Sequence, residues 1–239
     1  MQPSERIFVA LDLTDINLAI KLSSCLVGAV GGVKIGKEFF TANGLSGAKE
    51  IANLGMPIFL DLKFHDIPNT VAGAIRAVAS INPFILNVHL LGGSSMVKLA
   101  CKTFNENKTK NSLLIGVTVL TSLEDQDLNE VGISGSVEKQ VIRLAKLAQH
   151  SGLDGVVCSA REIVNVRRAL GNQLKLIVPG IRPKWCEPND QKRIMTPAEA
   201  ISNGADYIVI GRPITSSVNP LDAALRITEE IECVKRQLY

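Results

Sequence analysis

Short apolar runs recur along the chain at 7–11, 32–35, 58–63, 84–89, 113–117, 155–158, 174–178 and 207–210. They are rich in Ile, Val and Leu and are nearly continuous in hydrophobicity. Strands that alternate apolar with polar have one wet face; these runs instead suit parallel strands covered on both faces. Helical spacing fills several of the gaps. The segment 16–27 sits behind a Thr14-Asp15 cap, and 71–79 follows Pro68. The segment 137–149 gathers Val141, Leu144, Ala145 and Ala148 on one side. Thr196-Pro197-Ala198-Glu199 is a capping box with Pro in the first helical position. The last segment, 220–238, spaces Leu221, Ala224, Leu225, Ile231 and Val234 as one helical stripe. The spacing predicts a β-then-α unit about every thirty residues, eight in all, which is the length and count of a (β/α)8 TIM barrel. We therefore expect one α/β domain spanning residues 1–239. An open doubly wound sheet would use fewer strands, and its Gly-rich dinucleotide turn is missing.

Composition narrows this further. Lys and Arg number 26 against 23 Asp and Glu, a net charge of +3, so no basic excess is available to neutralise a nucleic acid. Hydrophobic residues at 46% exclude a disordered chain, and aromatics at 4% leave the core to Ile, Val, Leu and Ala. No apolar run is long enough to span a membrane, and the start of the chain lacks the apolar stretch of a signal peptide. The five cysteines, 25, 101, 158, 186 and 233, are odd in number and widely spaced. They read as reduced thiols in a cytoplasmic protein.

Catalytic groups of such a barrel sit at the C-terminal ends of its strands. There the chain places Asp12, Lys34, the run Asp61-Leu62-Lys63-Phe64-His65-Asp66, His89, Thr118 and Thr121, Pro179-Gly180-Ile181-Arg182, and Gly211-Arg212. Asp61 and Lys63 are two apart and expected on one face of their strand. With Lys34 they form an alternating Lys/Asp array. Such an array either plugs the barrel as a buried ion-pair network or makes a site, and its place at the mouth favours a site. The loops after strands 7 and 8 are the usual phosphate-binding corner, where Arg212 offers a forked cation beside Gly211. The long polar stretch 179–195, with Arg182 and Gln191, reads as a lid over that corner, and Trp185 is expected to be exposed when it stands open. The three histidines do not form a metal site: His89 reads as a hydrogen-bonded core residue and His150 as a surface one. Neither an activated nucleophile nor a triphosphate-binding loop is indicated.

Several stretches together resemble the orotidine 5′-monophosphate decarboxylase family in its bacterial, monofunctional form. They are Val9-Ala10-Leu11-Asp12, Val33-Lys34-Ile35-Gly36, the run Asp61 to Thr70 (Asp-Leu-Lys-Phe-His-Asp-Ile-Pro-Asn-Thr), Thr118 to Ser122, Pro179 to Pro183, Asp190 to Arg193 and Gly211 to Ile214. The resemblance covers essentially the whole chain and implies loss of CO2 from orotidine 5′-monophosphate without metal or cofactor. It implies Lys63 as proton donor to C6, with Asp61 beside the substrate carboxylate and Lys34 and Lys63 flanking it. Asp12 and Lys34 would hold ribose hydroxyls, and Thr121 and Pro179 would lie near the substrate. Arg182 would belong to the lid, and Gln191, Arg212 and the Gly211 backbone would grip the phosphate. Asp66, Ile67 and Thr70 would reach into the partner's site of a homodimer. Sugar-phosphate decarboxylases and aldolases of the same suprafamily share Asp-x-Lys-x-x-Asp but look Mg2+-dependent, with a Glu near where Lys34 stands here. A noncatalytic phosphate-binding barrel is the other alternative, and the complete Lys/Asp array speaks against it.

Overall fold

A computed structural model describes residues 1–186 and 195–237, with side chains through residue 233. The strands are β1 (Ile7–Leu11), β2 (Gly32–Ile35), β3 (Ile58–Phe64) and β4 (Ile85–His89), then β5 (Leu113–Val117), β6 (Gly155–Val157), β7 (Lys175–Pro179) and β8 (Tyr207–Ile210). Each pairs in parallel with the next, and β8 returns to β1, so the sheet closes into a barrel. The helices are α1 (Ile16–Leu26), α2 (Lys37–Ala52), α3 (Pro68–Val78), α4 (Gly93–Asn107) and α5 (Asp125–Glu130), followed by α6 (Val137–His150), α7 (Ile163–Leu170), α8 (Pro197–Ser202), α9 (Arg212–Thr215) and α10 (Pro220–Gln237). The predicted (β/α)8 architecture is thus the observed one, and the strands lie within a residue of the apolar runs.

The core divides in two, as a barrel requires. One cluster fills the barrel itself and includes Phe8, Phe59, Ile85, Ile115, Ile177 and Tyr207. Its lower end is aromatic: Phe8 stacks on Phe84 and meets Tyr207 and Phe59 edge-on. Gly32 makes room for this ring, since a Cβ there would stand 2.6 Å from the Phe8 ring and 2.2 Å from the Pro57 carbonyl oxygen. The larger cluster lies between the outer strand faces and the helices and includes Ile7, Val9, Leu11, Val33, Ile35 and Leu60. Most strands therefore carry apolar residues on both faces, which is why the runs show little alternation.

Aspartates tie strand starts together on the N-terminal face. Asp206, just before β8, accepts the Leu176 N–H of β7 at 2.9 Å and pairs with Arg167 (2.6 Å) and Lys175 (3.0 Å). Asp154, just before β6, accepts the Leu114 N–H of β5 at 2.8 Å in the same way.

Helix caps follow the sequence signals, with two adjustments. Asp15 accepts the Asn17 and Leu18 N–H groups, and Thr196 and Glu199 form the reciprocal box, whose hydrogen bonds hold the Glu199 carboxyl below its ordinary range. Helix α3 begins at Pro68 rather than Val71, because a Pro in the first turn lacks only an N–H that would have had no helical partner. Along α10 the buried stripe is Ala223, Ala224, Ile227 and Ile231, whereas Leu221 and Leu225 are exposed. The expected stripe therefore holds at Ala224 and Ile231 and fails at Leu221 and Leu225, and the Val234 side chain falls outside those described. Helix α10 packs against α1, α8 and α9.

Candidate functional site

The inward direction on each strand is fixed by the apolar plug. Two residues beyond Phe59 and Ile85, one step up the same face, stand Asp61 and Asn87. On β2, Lys34 pairs in register with Ala10 and Phe59. The layer above the plug on β3 and β4 is thus Asp61 and Asn87, and Lys34 reaches Asp61 from β2. Lys34 Nζ lies 3.3 Å from Asp12 Oδ1 and 3.5 Å from Asp61 Oδ2, and Lys63 Nζ lies 2.7 Å from Asp61 Oδ1. Side-chain exposure is 12% for both Lys34 and Asp61 and 27% for Lys63, so the array is largely withdrawn from water. Charges so placed hold together only because they pair.

Asp61 and Lys63 converge, but not by simple alternation. The β3–β4 register slips between Leu60 and Phe64: Leu60 faces Leu86 and Phe64 faces Val88, so three residues of β3 stand against Asn87 alone. Lys63 takes φ +53°, a left-handed conformation that costs a non-glycine residue roughly 1–2 kcal/mol. Asn87 spans this bulge. Its Nδ2 donates to Asp61 Oδ1 at 2.6 Å, and its Oδ1 accepts the Lys63 backbone N–H at 2.8 Å. Asn87 is absent from the sequence-derived site. The signal was there, a lone amide within an apolar strand run.

Beside the array opens a cavity of about 560 Å3, within the range of small-molecule sites. Asp12 and Lys34 line one side, Pro179 and Arg182 another, and Gly211 and Arg212 a third. Strand ends far apart in sequence therefore meet as expected. Gly36, which caps α2, borders the ion pair: a Cβ there would stand 2.8 Å from Lys34 Nζ and 3.0 Å from Asp12 Oδ1. Arg182 is buried, and its backbone N–H donates to the Met195 carbonyl at 3.0 Å, tying the two ends of the 179–195 stretch. Trp185 is 40% exposed and lies under the Arg226 guanidinium of α10. Gln191 and the rest of the Asp190 to Arg193 stretch fall outside the described residues.

Other expected residues stand apart from the cavity. Asp66, Ile67 and Thr70 are exposed on the rim after β3, with Ile67 68% exposed, and Asp66 Oδ1 accepts the Ile67 N–H. Thr121 is exposed after β5, while Thr118 is buried and donates to the Val157 carbonyl. His89 is half-buried, stacks on His65 and accepts the Leu91 N–H through Nδ1. Burial foremost, then the nearby His65, Lys63 and Lys37, lowers its pKa to about 4. His150 is exposed on α6, as expected. Among the described residues, no group of three or more His, Cys, Asp or Glu side chains is placed to hold a metal ion.

A barrel with paired Lys and Asp at its C-terminal mouth, next to an Arg-bordered cavity after β7 and β8, defines a class of enzyme-like phosphate-ligand barrels. Within that class the comparison with known proteins is specific. The orotidine 5′-phosphate decarboxylase/HUMPS family profile matches residues 5–227, and the chain belongs to this family. It is 50% identical over 230 residues to the orotidine 5′-phosphate decarboxylase of Rhodospirillum rubrum, covering 94% of this chain and 93% of that one. It is likewise 50% identical over 225 residues to the enzyme of that name from Wolbachia pipientis subsp. Culex pipiens. The crystal structure of orotidine 5′-phosphate decarboxylase from Lactobacillus acidophilus superposes with a TM-score of 0.83 at 37% identity, covering 94% of this chain and 98% of that one.

Proposed function

We propose that this chain decarboxylates orotidine 5′-monophosphate to UMP and CO2, the last step of pyrimidine nucleotide synthesis. The observation that carries the reading is the Lys34–Asp61–Lys63 array, largely withdrawn from water at the mouth and adjoining the cavity that Arg182 and Arg212 border. In this reading the C6–carboxylate bond breaks, CO2 leaves, and the electron pair stays at C6 in the ring plane, where the π system cannot spread it. Lys63 supplies a fixed ammonium beside that pair and then transfers its Nζ proton to C6; solvent restores the proton. Preorganised charge of this kind is worth most where water is excluded. A reaction of this difficulty asks for about 20 kcal/mol, part of which remote phosphate binding at Arg212 contributes. Asp12 and Lys34 hold the ribose hydroxyls, Asp61 adjoins the substrate carboxylate, and Pro179, Arg182, Gly211 and Gln191 complete the phosphate side.

The chain works as a homodimer in this proposal, with Asp66, Ile67, Thr70 and the nearby Thr121 serving a site shared with the partner. Two features support it. The alternating array stops at Lys63 within one chain, since Asp66 turns its side chain to the Ile67 N–H. The rim after β3, β4 and β5 also leaves Ile67, Leu91 and Leu120 exposed, an apolar fringe suited to a second copy. Five free thiols, Cys158 deeply buried among them, support a cytoplasmic setting. No helix among the described residues is long and apolar enough to cross a membrane.

The test is the loss of ultraviolet absorbance when orotidine 5′-monophosphate meets the purified protein in EDTA, with Lys63→Ala alongside. Turnover to UMP by the unmodified protein, abolished in Lys63→Ala, is expected. Turnover of a sugar phosphate only after Mg2+ is added would transfer the protein to the metal-dependent branch.

A further inference from the structure

We propose that Asn87 is a positioning residue for the Lys63–Asp61 pair, and so sets the geometry of proton delivery without touching the substrate. The inference rests on the reading of Lys63 as proton donor. An amide buried in an apolar strand is costly unless both of its ends are bonded, and both ends of Asn87 are. They are bonded to the two residues that matter. Where the β3–β4 ladder slips, the Lys63 N–H is held by the Asn87 side chain instead of a β4 backbone carbonyl. That bond helps hold Lys63 at φ +53°, and the direction of the Cα–Cβ bond there decides where the ammonium can reach.

The other end of the amide acts on the carboxylate. Asp61 Oδ1 receives Lys63 Nζ at 2.7 Å and Asn87 Nδ2 at 2.6 Å, while Oδ2 faces Lys34 at 3.5 Å. Asn87 is therefore a neutral donor that fixes the carboxylate between two ammonium groups without adding charge. A shorter or apolar side chain leaves Asp61 free to turn and Lys63 free to relax to negative φ. Misplacement on this scale is enough to cost on the order of 100-fold in rate.

The experiment compares Asn87→Asp, Asn87→Ser and Lys63→Ala with the unmodified enzyme, measuring kcat between about pH 5.5 and 8.5 and the Kd of UMP. Asn87→Asp keeps the acceptor for the Lys63 N–H but sets a carboxyl against Asp61, and a pair of carboxyls in contact gives up its second proton only at raised pH, losing the donor to Asp61 when it does. At the alkaline end kcat is expected to fall by about 100-fold or more, then to recover relative to the unmodified enzyme by up to tenfold per pH unit as the carboxyl regains its proton and its donor. UMP affinity is expected to stay within about threefold, because Asp12, Arg182 and Arg212 line the cavity and Asn87 does not. If Asn87→Asp does not fold, Asn87→Ser carries the comparison of kcat against UMP affinity. A kcat within about threefold of the unmodified enzyme overturns the inference. So does a loss with an unchanged pH profile, or a matching loss of UMP affinity. An inactive Lys63→Ala beside a fully active Asn87 variant overturns this inference alone; an active Lys63→Ala overturns the Lys63 reading as well.

Discussion

Individual side chains at the mouth act through short distances, so small changes there have large expected effects. Gly36 has φ −93°, which alanine also adopts, so Gly36→Ala strains no backbone. Its new Cβ would instead displace Lys34 from Asp12. Losing a charge-assisted contact costs about 1.5–3 kcal/mol, so kcat/KM should fall roughly 10- to 150-fold with little change in melting temperature. Steady-state kinetics beside a thermal melt checks this. Arg212→Ala should lower kcat/KM by about 3 kcal/mol, roughly 150-fold, by removing a forked cation from the phosphate corner. Unchanged kinetics on the phosphorylated substrate would remove Arg212 from the site. His89 has a separate consequence for stability. Its folded pKa of about 4 lies below the ordinary 6.5, so between those values the unfolded chain binds a proton that the folded one does not. Stability contributed by neutral His89 is therefore lost as pH falls from about 6.5 towards 4. His89→Gln should show a smaller drop in urea midpoint from pH 7.5 to pH 5 than the unmodified protein; an equal drop would exclude His89 as the source.

Strands and helices divide the molecule into a stable floor and a reactive rim. Asp206 joins β7 to β8 at the floor, accepting a backbone N–H while pairing with Arg167 and Lys175. Asp206→Ala leaves a largely buried Arg167 without its carboxylate. The cost is expected at about 2–4 kcal/mol, a fall of roughly 5–15 °C in melting temperature. Catalysis should be unaffected, because the change sits at the opposite end of the strands from Lys63. A variant that melts with the unmodified protein would show the clasp to be dispensable. Strand β3 carries the opposite burden: it departs from regular pairing where its chemistry begins, between Leu60 and Phe64. The motif from Asp61 to Thr70 was legible as residues, but the bulge was not, since nothing in Asp-Leu-Lys-Phe marks a positive φ at Lys63. Along α10 the spacing picks out Ala224 and Ile231 but not Ile227, for a related reason. Leu221 and Leu225 are as hydrophobic as Ile227, and only contact with neighbouring helices selects which of them is buried.

For the assembled protein, the shared-site proposal has a quantitative test. Lys63→Ala and Asp66→Ala should each be inactive alone. In a hybrid dimer, one of the two sites has both Lys63 and the partner-supplied Asp66 intact. An equal mixture allowed to re-assort forms half hybrids, so roughly a quarter of the unmodified activity should return. No recovery, despite hybrids seen by native mass spectrometry, would place Asp66 outside the partner's site.

The number and order of the strands, the closed-barrel class, and the residue types at each strand end were all determined by the sequence itself. Local spacing states which segments can bury apolar surface, and motif residues carry their own chemistry. Tertiary structure alone decided how those residues meet. In strands buried on both sides, neither hydrophobic phase marks the inward face, so Asn87 could not be assigned to the barrel interior beside Asp61. Its two bonds exist only because barrel closure brings β4 against a β3 that has slipped register. The cavity likewise needs Asp12, Lys34, Arg182 and Arg212 from four separate strand ends, which only the closed sheet places around one space.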